Sequence, residues 1–563
     1  MARKDIRDWA TFRPYMIKWY VEEENGIGWT KSFWDYFRSN AIAFRNREAV
    51  VDTFYGIEPG KKRRRTWREA YNEVNTIIFN LWELNVGMPH VVVSQLPNCI
   101  ENWYMMSVCS KLKFFYHYAQ IELGEAEVKA MLDHLDPIAT VIVPDYHGRP
   151  IAKWHLEHQA THSNLKYIFI LTRPGEEVPE GTRPFSDLLD HRIRNRYDDL
   201  DLEQLATDPN EPLYLPPTGG TTGSPKINCW TMRNYHAITE WGERGTLSRY
   251  DNTLLFGTVN GGTGRPTSYM PMFLGGKIIF LTEFGEEDAC RLIEEEKITV
   301  WTGIPITMVR TWQSPYFQKY DTHWLRAIIN AGAPFPSEIG WQIVNKGILL
   351  VNCYGLVDAG QANVLIAPLE DKEEQVFSVG KPIGGWNYYP ADAEGNPLPP
   401  GEAGEIACWS FHWGFFADPG DYNKCYDEKD RCRTGDIGII DEAGNLRIVG
   451  RLKDMILRGG QNIFPRELEE LLIKHPKVKE IALVGMPDKD LGEKACAYVV
   501  PWGEEKITLE EMQTFLEGHG ITKYKWPERI EFIDALPLST GSKLDKPRLK
   551  QAITKKLKEE GKI

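Results

Sequence analysis

Short apolar runs recur along the first two thirds of the chain and are separated by amphipathic stretches. Representative runs occupy residues 91–93, 140–143, 167–171, 277–281 and 347–351. They are rich in β-branched residues, which is typical of strands buried on both faces. The stretches between them have the spacing of crossover helices. The pattern therefore predicts an α/β architecture built on parallel sheets.

The pattern changes after residue 377. Turn sequences at 380–385 and 396–405 separate short strands and predict an antiparallel, barrel-like segment. From about Gly450 the pattern is that of an α+β unit, with a helix beginning at Pro465, strands at 481–484 and 495–500, and a helix over Leu509–Gly518. We therefore expect a large N-terminal domain of stacked α/β sheets with a β-barrel segment, residues 1–452. A small α+β C-terminal domain, residues 453–563, follows it.

Composition narrows the class of protein. The chain has 563 residues, of which 42% are hydrophobic and 26% charged, and this profile excludes collagen, coiled coils and disordered chains. The net charge of −13 argues against a nucleic-acid partner. A basic cluster, Lys61 to Arg65, is interpreted as a solvated loop entering a helix at Thr66–Trp67 rather than as a polyanion patch.

The same sequence predicts where the protein works. No apolar run reaches the 18 or so residues of a membrane span, and no apolar stretch follows the N-terminus as in a secretory signal. The nine cysteines are scattered and include no CxxC pair, so we expect reduced thiols and a cytoplasmic location. The sequence permits a homodimer but does not establish one.

One loop carries the clearest chemistry. It reads Thr218, Gly219, Gly220, Thr221, Thr222, Gly223, Ser224, Pro225, Lys226. Glycines let backbone N–H groups converge on an anion, hydroxyls add donors, and the lysine adds a charge for phosphate oxygens. Pro225 disfavours the helix that a Walker A loop requires, so we expect a hairpin between strands. The alternative is a plain glycine-rich turn.

This loop resembles the phosphate loop of the adenylate-forming acyl-CoA synthetases, with Gly219 where the family usually has Ser. Further motifs follow in the family's order. Segment 331–334 resembles its Gly-Gly-Ala-Pro stretch, 352–358 its Tyr-Gly-x-Thr-Glu motif, and 433–436 matches Arg-Thr-Gly-Asp unchanged. The match continues through the hinge after Gly450 and the loop that follows it to a C-terminal lysine motif, and covers about residues 34 to 548. A mobile C-terminal domain is part of what it implies.

The resemblance implies a two-step reaction, in which a carboxylate attacks the α-phosphorus of ATP and a thiol then attacks the acyl-adenylate. It implies ATP or AMP, Mg²⁺ and coenzyme A as cofactors. Thr222 and Asp358 would hold Mg²⁺, Asp358 being one methylene shorter than the usual Glu; its alternative role is a helix N-cap. Asp436 would bind the ribose hydroxyls, with a turn residue as the alternative. The resemblance places the other nucleotide contacts at Gly332, Ala333, Pro334, Asn352, Tyr354, Gly355 and Arg451.

The C-terminal domain would supply the remaining groups. Lys543 would touch both the carboxylate and the α-phosphate, although Ser542 replaces the usual glycine and a plain surface lysine is the alternative. Lys453 would be the hinge about which the domain swings. Arg458, Gly459 and Gly460 would then face the pantetheine arm of coenzyme A.

The acyl pocket is the least defined part. Where the aryl-acid enzymes of the family carry a His-Asn pair, this chain has Val259-Asn260, which suggests a less polar pocket for a compact or cyclic carboxylate. Asn260 is either a pocket wall or a turn residue. Gly332 is a further candidate, and Trp230, Trp241 and Trp386 are the aromatic ones.

Three other functions stay open. The first is an acid-adenylating enzyme that loads the pantetheine of a carrier protein. The second is a nucleotide-binding pseudoenzyme, since Gly219, Asp358 and Ser542 depart from the family pattern. The third is a luciferase-type oxygenase, for which the motifs give no positive indication.

Overall fold

The structure is a computed structural model that describes residues 31–58, 60–198, 201–202, 205, 212–216, 228–232, 234–235, 247–260, 264–357, 361–362, 365–366, 370–382, 387–409, 415–416, 426–427, 431–539 and 543–562. Within these ranges the chain forms two large sheets, a smaller antiparallel sheet and a separate C-terminal sheet. Helices cover the large sheets, so the predicted mixed α/β class is confirmed.

The strands of the large sheets and their satellites are β1 (Glu48–Asp52), β2 (Arg63–Thr66), β3 (Val91–Gln95), β4 (Phe115–Tyr118), β5 (Ala139–Ile142), β6 (Tyr167–Ile170), β7 (Arg183–Pro184), β8 (Pro212–Tyr214), β9 (Asn228–Thr231), β10 (Asn252–Leu255), β11 (Lys277–Phe280), β12 (Val300–Gly303), β13 (Ala327–Ala331), β14 (Leu349–Cys353), β15 (Gly355–Leu356), β16 (Gln361–Ala362), β17 (Leu365–Ile366), β18 (Lys381–Pro382), β19 (Asn387–Ala391), β20 (Gly404–Trp409), β21 (Phe415–Phe416), β22 (Cys432–Ile440) and β23 (Leu446–Arg451).

The helices that accompany them are α1 (Phe33–Ala43), α2 (Trp67–Glu83), α3 (Ile100–Leu112), α4 (Glu125–Leu135), α5 (Ile151–Gln159), α6 (His191–Arg194), α7 (Gly264–Leu274), α8 (Glu286–Glu295), α9 (Pro305–Gln313), α10 (Tyr316–Lys319), α11 (Ser337–Asn345) and α12 (Lys372–Phe377). Short 3₁₀ helices occupy Phe185–Leu189, Leu452–Asp454 and Lys523–Lys525.

Both large sheets are built mainly from parallel strands. Among the described strands, the first sheet has the order β21-β9-β8-β4-β3-β5-β6-β7 and the second β14-β13-β12-β10-β11-β1-β2. The five apolar runs that predicted buried strands coincide with β3, β5, β6, β11 and β14. β3 and β13 are buried along their whole length, because helices cover both faces of each sheet.

The basic cluster before α2 is not the solvated loop that its composition suggested. Helix α2 does begin at Trp67, capped by Thr66. Arg63, however, belongs to strand β2, and its side chain is only 9% exposed. Its guanidinium donates to Glu101 at 2.6 and 2.7 Å and to Asp52. The interpretation was wrong because the carboxylates that neutralise Arg63 are distant in sequence and cannot be inferred from the cluster itself.

Strands β19, β20, β22 and β23 form an antiparallel sheet in that order. This agrees with the antiparallel character predicted after residue 377. The register of β22 and β23 places Asp436 directly opposite Arg451, which matters for the site described below.

The C-terminal residues form a sheet with cores of their own. Its elements are β24 (Ile456–Arg458), β25 (Gln461–Ile463), β26 (Val478–Asp488), β27 (Gly492–Pro501), β28 (Arg529–Phe532), β29 (Leu538–Ser539), β30 (Lys543–Leu544), α13 (Pro465–Leu472), α14 (Leu509–Gly518) and α15 (Lys546–Glu559). Side chains alternate along β27, so that Ala497 joins the core under α13 and α14 while Tyr498 joins the core under α15. The helices predicted at Pro465 and Leu509 are confirmed.

Two features bear on the cellular setting. The described cysteines, Cys99, Cys109, Cys229, Cys290, Cys353, Cys408, Cys432 and Cys496, are buried and free. None of the helices in the described ranges combines the length and apolarity needed to cross a membrane.

Candidate nucleotide-binding site

The glycine- and threonine-rich loop connects two paired strands. Strands β8 and β9 are antiparallel, with Tyr214 opposite Trp230. The predicted hairpin is therefore confirmed in its flanking strands. The loop residues Thr218, Gly219, Gly220, Thr221, Thr222, Gly223 and Lys226 lie outside the described residues. Their roles remain predictions.

The end of this loop lies beside the tyrosine motif. Asn228, the first residue of β9, is fully buried, and its side-chain amide donates to the Val357 carbonyl at 3.1 Å. Val357 immediately precedes Asp358, which lies outside the described residues. Two segments 129 residues apart in sequence are thus joined by one buried hydrogen bond. The structure thus brings together described residues that flank the predicted phosphate and metal ligands.

The helix-cap alternative for Asp358 is wrong. Gln361–Ala362 is a strand that pairs antiparallel with Gly355–Leu356. The first described residues after Asp358 are therefore in a strand and not in a helix, and Asp358 itself lies outside the described residues.

The carboxyl ends of β13 and β14 carry two of the predicted nucleotide-binding segments. Ala331 and Cys353 lie side by side in the parallel register, so Gly332 and Tyr354 leave the sheet at the same edge. Gly332 has a φ of +86°, a conformation that favours glycine. Open α/β sheets commonly bind ligands at this edge.

A side-chain amide bridge holds these two segments together. The amide of Asn330 donates to the Ala333 carbonyl and to Asn352 Oδ1, each at 3.1 Å. The amide of Asn352 donates to the Gln375 carbonyl in α12 at 2.9 Å. Asn352 therefore has a positioning function in this structure, whereas the sequence suggested a direct nucleotide contact, which remains a prediction.

Helix α12 connects the seven-stranded sheet to the antiparallel sheet. On one side, Gln375 Oε1 accepts from the Leu350 backbone at 3.2 Å. On the other, Glu374 forms an ion pair with Arg447 of β23. The position of Tyr354 relative to the antiparallel sheet therefore depends on this six-residue helix.

The Arg-Thr-Gly-Asp motif is clamped by the neighbouring strand β20. Arg433 Nε donates to Glu405 at 2.8 Å, and the Gly435 backbone donates to the other oxygen of Glu405 at 3.0 Å. Thr434 donates to the Ile406 carbonyl at 2.7 Å. The first three residues of the motif thus fix the backbone, which leaves Asp436 as the one whose carboxylate points to other partners.

Asp436 joins Tyr354 and Arg451 in one polar group. The hydroxyl of Tyr354 donates to one carboxylate oxygen at 2.8 Å, and Arg451 Nε donates to the other at 2.8 Å. Burial and the nearby charge of Asp436 raise the pKa of Tyr354 well above its ordinary value, so the hydroxyl stays a donor. Asp436 is only 6% exposed. It lies within strand β22, so the turn-residue alternative is wrong.

This geometry suits a diol ligand. Each carboxylate oxygen can accept more than one hydrogen bond, so both remain able to accept ribose hydroxyls. The Tyr354 ring is fixed at its hydroxyl end and lies edge-on to Tyr388, with ring centroids 5.9 Å apart. A flat ligand on the free part of the ring and a diol at Asp436 would together resemble a nucleoside.

Val259 and Asn260, predicted to line the acyl pocket, are both fully buried. The Asn260 amide donates to the carbonyl and side chain of Asn102 at 3.0 and 2.8 Å, and to the Tyr116 hydroxyl at 3.1 Å. Its own oxygen accepts from Tyr269 at 2.6 Å. Protein groups thus occupy both polar atoms of Asn260. In this structure it braces the region from behind, and pocket lining by Val259 and Asn260 remains a prediction.

Of the three tryptophans predicted as candidates for the acyl pocket, the structure describes one. Trp230 is fully buried and packs edge-on against Tyr235, so it belongs to the core. Trp241 and Trp386 lie outside the described residues.

The predicted coenzyme A loop is a tight hairpin. Arg458 pairs with Gln461 across the two glycines, which have φ values of +55° for Gly459 and +82° for Gly460. Such a two-residue turn requires φ above zero at both positions, which explains the glycines. Arg458 Nε donates to Glu528 at 2.7 Å, so a ligand at this loop must compete with that carboxylate.

The hinge and lysine candidates lie in two separate short elements of the C-terminal part. Lys453 is exposed, in the short 3₁₀ helix Leu452–Asp454. The backbone of Lys543 begins β30 and pairs with Ser539. Residues 540–542 lie outside the described residues. A hairpin position agrees with a lysine presented at a loop, and its catalytic role remains a prediction.

Sequence reasoning missed the residues that position the site. Glu405 was interpreted only as part of a turn, and Glu374 and Gln375 were not singled out. Each acts on a residue at least 23 positions away. The position of Glu405 beside the Arg-Thr-Gly-Asp motif follows from the register of β20 and β22, which the sequence does not show.

Comparison with known proteins identifies the family. Residues 37–412 match the AMP-binding enzyme family, and residues 467–543 match the AMP-binding enzyme C-terminal domain. The chain belongs to the AMP-binding enzyme family, as its motifs suggested.

Individual relatives agree with this assignment. The mitochondrial medium-chain acyl-CoA ligase ACSF2 of Macaca fascicularis is 31% identical over 62% of this chain, an alignment that spans 58% of that relative. Enterobactin synthase component E of Escherichia coli is 26% identical over 90% of this chain and 92% of its own. The anthranilate CoA ligase AuaEII, solved with anthranoyl-AMP, has the same fold, with a TM-score of 0.80 at 19% identity over 94% of this chain and 99% of its own.

Proposed function

We propose that this protein is an AMP-forming acid–CoA ligase. In the first step a carboxylate oxygen attacks the α-phosphorus of ATP, and the bond from that phosphorus to the β-phosphate bridging oxygen breaks. This forms an acyl-adenylate and releases pyrophosphate. In the second step the sulfur of coenzyme A attacks the acyl carbonyl, the bond to AMP breaks, and the thiol proton passes to solvent. Both steps are reversible.

The observation that carries this proposal is the polar group of Asp436, Tyr354 and Arg451. It combines a buried carboxylate able to accept two hydroxyls, a neighbouring ring and a cation, at the side of a parallel sheet where ligands bind. Catalysis of the adenylation step needs little covalent chemistry from the protein. It depends on positioning the reactants and on stabilising the charge at the phosphates. A ribose held at Asp436 fixes one end of the nucleotide, so that the α-phosphate is presented at a defined place.

The triphosphate would extend from this group toward the β8–β9 loop. The hydrogen bond from Asn228 to Val357 supports this direction, because it places the loop's end beside the tyrosine motif. Lys226 and the loop hydroxyls would bind the β- and γ-phosphates. Thr222 and Asp358 would hold Mg²⁺, which supplies positive charge to phosphate oxygens. Their oxygens are the ligand type that Mg²⁺ prefers, but both residues lie outside the described part of the chain.

Residues 453–563 would act as a lid on residues 1–452. In the adenylating arrangement Lys543 would lie between the carboxylate and the α-phosphate and stabilise the charge that builds there. Rotation about Lys453 would then replace the Lys543 hairpin with the hairpin of Arg458, Gly459 and Gly460, along which pantetheine would lie. The separate cores of the C-terminal sheet support a unit able to rotate as one body.

The acid is proposed to be compact or cyclic, aryl or alicyclic. The buried network around Asn260 supports this choice, because a fully hydrogen-bonded layer behind the proposed pocket does not yield easily to a long chain. The proposed setting is the cytoplasm.

The experiment is an ATP–pyrophosphate exchange assay with a panel of carboxylic acids, followed by thioester formation with coenzyme A or with a carrier protein as acceptor. We expect exchange with benzoate- or cyclohexanecarboxylate-type acids and thioester formation with free coenzyme A. Exchange followed by transfer only to the carrier protein would establish the carrier-loading alternative. Absence of exchange with every acid would favour the pseudoenzyme, and a strong preference for long fatty acids would overturn the proposed acid class.

A further inference from the structure

A cavity of about 570 Å³ lies in the C-terminal region, apart from the nucleotide site. Its floor is the edge strand β26, at Leu483, Val484 and Gly485, and one wall is helix α15. Lys453 and Asp454, the segment proposed as the hinge, form another part of the wall. The volume is in the range of cavities that hold small organic ligands, about 300–1,000 Å³.

Helix α15 presents one basic face to this cavity. Lys546, Lys550 and Lys558 fall in one row at helical spacing, and Lys555 lies in the adjacent row. The neighbouring row of the helix carries Leu549, Ile553 and Leu557, which are buried in the core beneath the helix. This apolar row fixes the orientation of the helix, and the four lysines line the cavity.

The positive charge of the cavity is only partly neutralised. Lys546 pairs with Glu469 at 2.7 Å and Lys550 with Glu493 at 2.5 Å. Lys555 is 3.9 Å from Glu559. For Lys453 and Lys558, no carboxylate of the described residues lies within 4 Å. Asp454 is the acid that lines the cavity itself. Lys453 and Lys558 thus leave positive charge in the lining of the cavity, and like charges along a helix repel.

The lining also has an apolar part. Pro547 and the methylene stems of the lysines supply it, since the Leu483 and Val484 side chains are buried in the cores of the C-terminal sheet. Gln551 and Thr554 add polar side chains. Lysine ammonium groups bind phosphates as point charges. The apolar part of the lining favours a ligand that carries an organic body as well. A nucleoside di- or triphosphate has both parts.

We propose that this cavity binds an organic polyphosphate, with its phosphates on the lysines of α15 and its organic part against Pro547 and the lysine stems, and that the bound ligand restrains the hinge. Because Lys453 and Asp454 form one wall and α15 the other, a ligand that contacts both would tie the hinge to the C-terminal sheet. Rotation of that sheet would then be slower. This consequence for turnover rests on the proposed ligase function, whereas binding to the cavity does not.

Isothermal titration calorimetry of the full-length protein with the α,β-methylene analogue of ATP tests the binding. We expect two sites per chain, one in the nucleotide site and one in the cavity. In the Lys555→Gln/Lys558→Gln variant the second site should weaken at least tenfold while the first remains. Lys479→Gln, which removes an exposed charge from β26 outside the cavity, should leave both sites unchanged.

Inorganic tripolyphosphate, titrated in parallel, distinguishes the source of the phosphates. Weaker binding than that of the analogue supports a nucleotide, and equal binding overturns the assignment of an organic part to Pro547 and the lysine stems. If the wild-type protein has a single binding site and the double variant retains it, the cavity does not bind the analogue and the proposal is overturned. If the double variant loses that single site, the result supports binding in the cavity and contradicts the proposed nucleotide site instead.

The consequence for the hinge is measured on thioester formation from supplied acyl-adenylate. Saturating tripolyphosphate should slow this step severalfold in the wild-type protein and not in the double variant. Equal slowing of both proteins would mean that the effect does not pass through the cavity.

Discussion

The two parts of the proposed active site are built in opposite ways. In the large N-terminal part, Asp436 is 6% exposed and is held by Tyr354 and Arg451, while β20 clamps the motif that carries it. In the C-terminal part, Lys453, Gly459 and Gly460 are exposed, and Lys543 follows a hairpin turn. Protein contacts hold the Asp436 group in place before a ligand binds. The C-terminal groups are proposed to replace one another at the site between the two half-reactions.

This difference follows from what each group has to do. A nucleotide that stays bound through both half-reactions needs a rigid acceptor, and buried hydrogen bonds supply that rigidity. Groups proposed to act in only one half-reaction must be able to leave, which agrees with the exposure of Lys453, Gly459 and Gly460. The contrast predicts that variants of the C-terminal part separate the two half-reactions, whereas variants of the N-terminal part affect both.

The largest effect is expected for Lys543→Ala. Loss of the charge at the α-phosphate should reduce ATP–pyrophosphate exchange roughly 1,000-fold. Thioester formation from supplied acyl-adenylate should stay near the wild-type rate, because the lysine would be absent from the proposed thioester-forming arrangement. Lys479→Ala, at an exposed position of the same C-terminal unit outside the cavity, is the control and should retain exchange. An equal loss in both half-reactions of Lys543→Ala would contradict the contrast between the two parts.

Asp436→Ala should affect both half-reactions. Two hydrogen bonds to a charged acceptor contribute about 1.5–3 kcal/mol each, so kcat/KM for ATP should fall roughly 100-fold or more. Equilibrium binding of AMP should weaken in parallel. The matched control is Asp441→Ala in the turn after β22, where the carboxylate only caps its own loop. Normal AMP binding by Asp436→Ala would show that the ribose lies elsewhere.

Asn260→Ala tests whether the N-terminal part is braced from within. The substitution leaves Asn102, Tyr116 and Tyr269 without their shared partner. The free energy of unfolding should fall by about 1–3 kcal/mol, measured by urea titration. Asn396→Ala, an exposed loop residue bonded only to Asp392, should have a much smaller effect. An unchanged midpoint of urea unfolding for Asn260→Ala would contradict the proposal that Asn260 stabilises the N-terminal part.

Histidine burial predicts a pH dependence of the N-terminal part. Burial lowers the pKa of His117 to about 4, whereas in the unfolded chain it is about 6.5. Between these values only the unfolded state binds the proton, so the free energy of unfolding should fall as the pH falls, by about 1.4 kcal/mol per unit.

His155, whose pKa burial lowers to about 3, adds a second such contribution. His117→Asn keeps a donor for the Leu215 carbonyl and should reduce by one the number of protons taken up on unfolding near pH 5. Unfolding curves recorded from pH 4 to 7 give that number. The same proton uptake in the variant and the wild type would contradict a neutral buried His117.

Tyr354→Phe should have the smallest effect. It keeps the ring and removes one hydrogen bond to Asp436, which contributes about 0.5–1.5 kcal/mol. The KM for ATP should therefore rise about 2- to 12-fold, with kcat little changed. Tyr388→Phe, at the neighbouring ring, serves as the control. A large loss of kcat in Tyr354→Phe would mean that the hydroxyl acts in the chemistry rather than in positioning.

Much of the fold could be predicted from local patterns. The buried strands, the α13 and α14 helices and the hairpin around the phosphate loop depend on short-range periodicity and on proline and glycine positions. The sequence also placed Asp436 and Tyr354 in one site, because their motifs resemble those of a known family.

What could not be predicted depends on partners far away in sequence. Arg63 has the composition of an exposed loop, yet Asp52 and Glu101 bury it. Asn260 resembled a turn or a pocket wall, but its amide is used by Asn102 and Tyr269. Glu405 resembled a turn residue and instead holds the Arg-Thr-Gly-Asp backbone. In each case the environment follows from strand register and helix packing, which no local pattern encodes.

The most direct test of the account is a crystal structure with the α,β-methylene analogue of ATP and a cyclic carboxylate. The account predicts both ribose hydroxyls within about 3.5 Å of the Asp436 carboxylate, the adenine on the Tyr354 ring and the triphosphate at the β8–β9 loop. A ribose bound away from Asp436, or a triphosphate that does not reach Thr218 to Lys226, would contradict it.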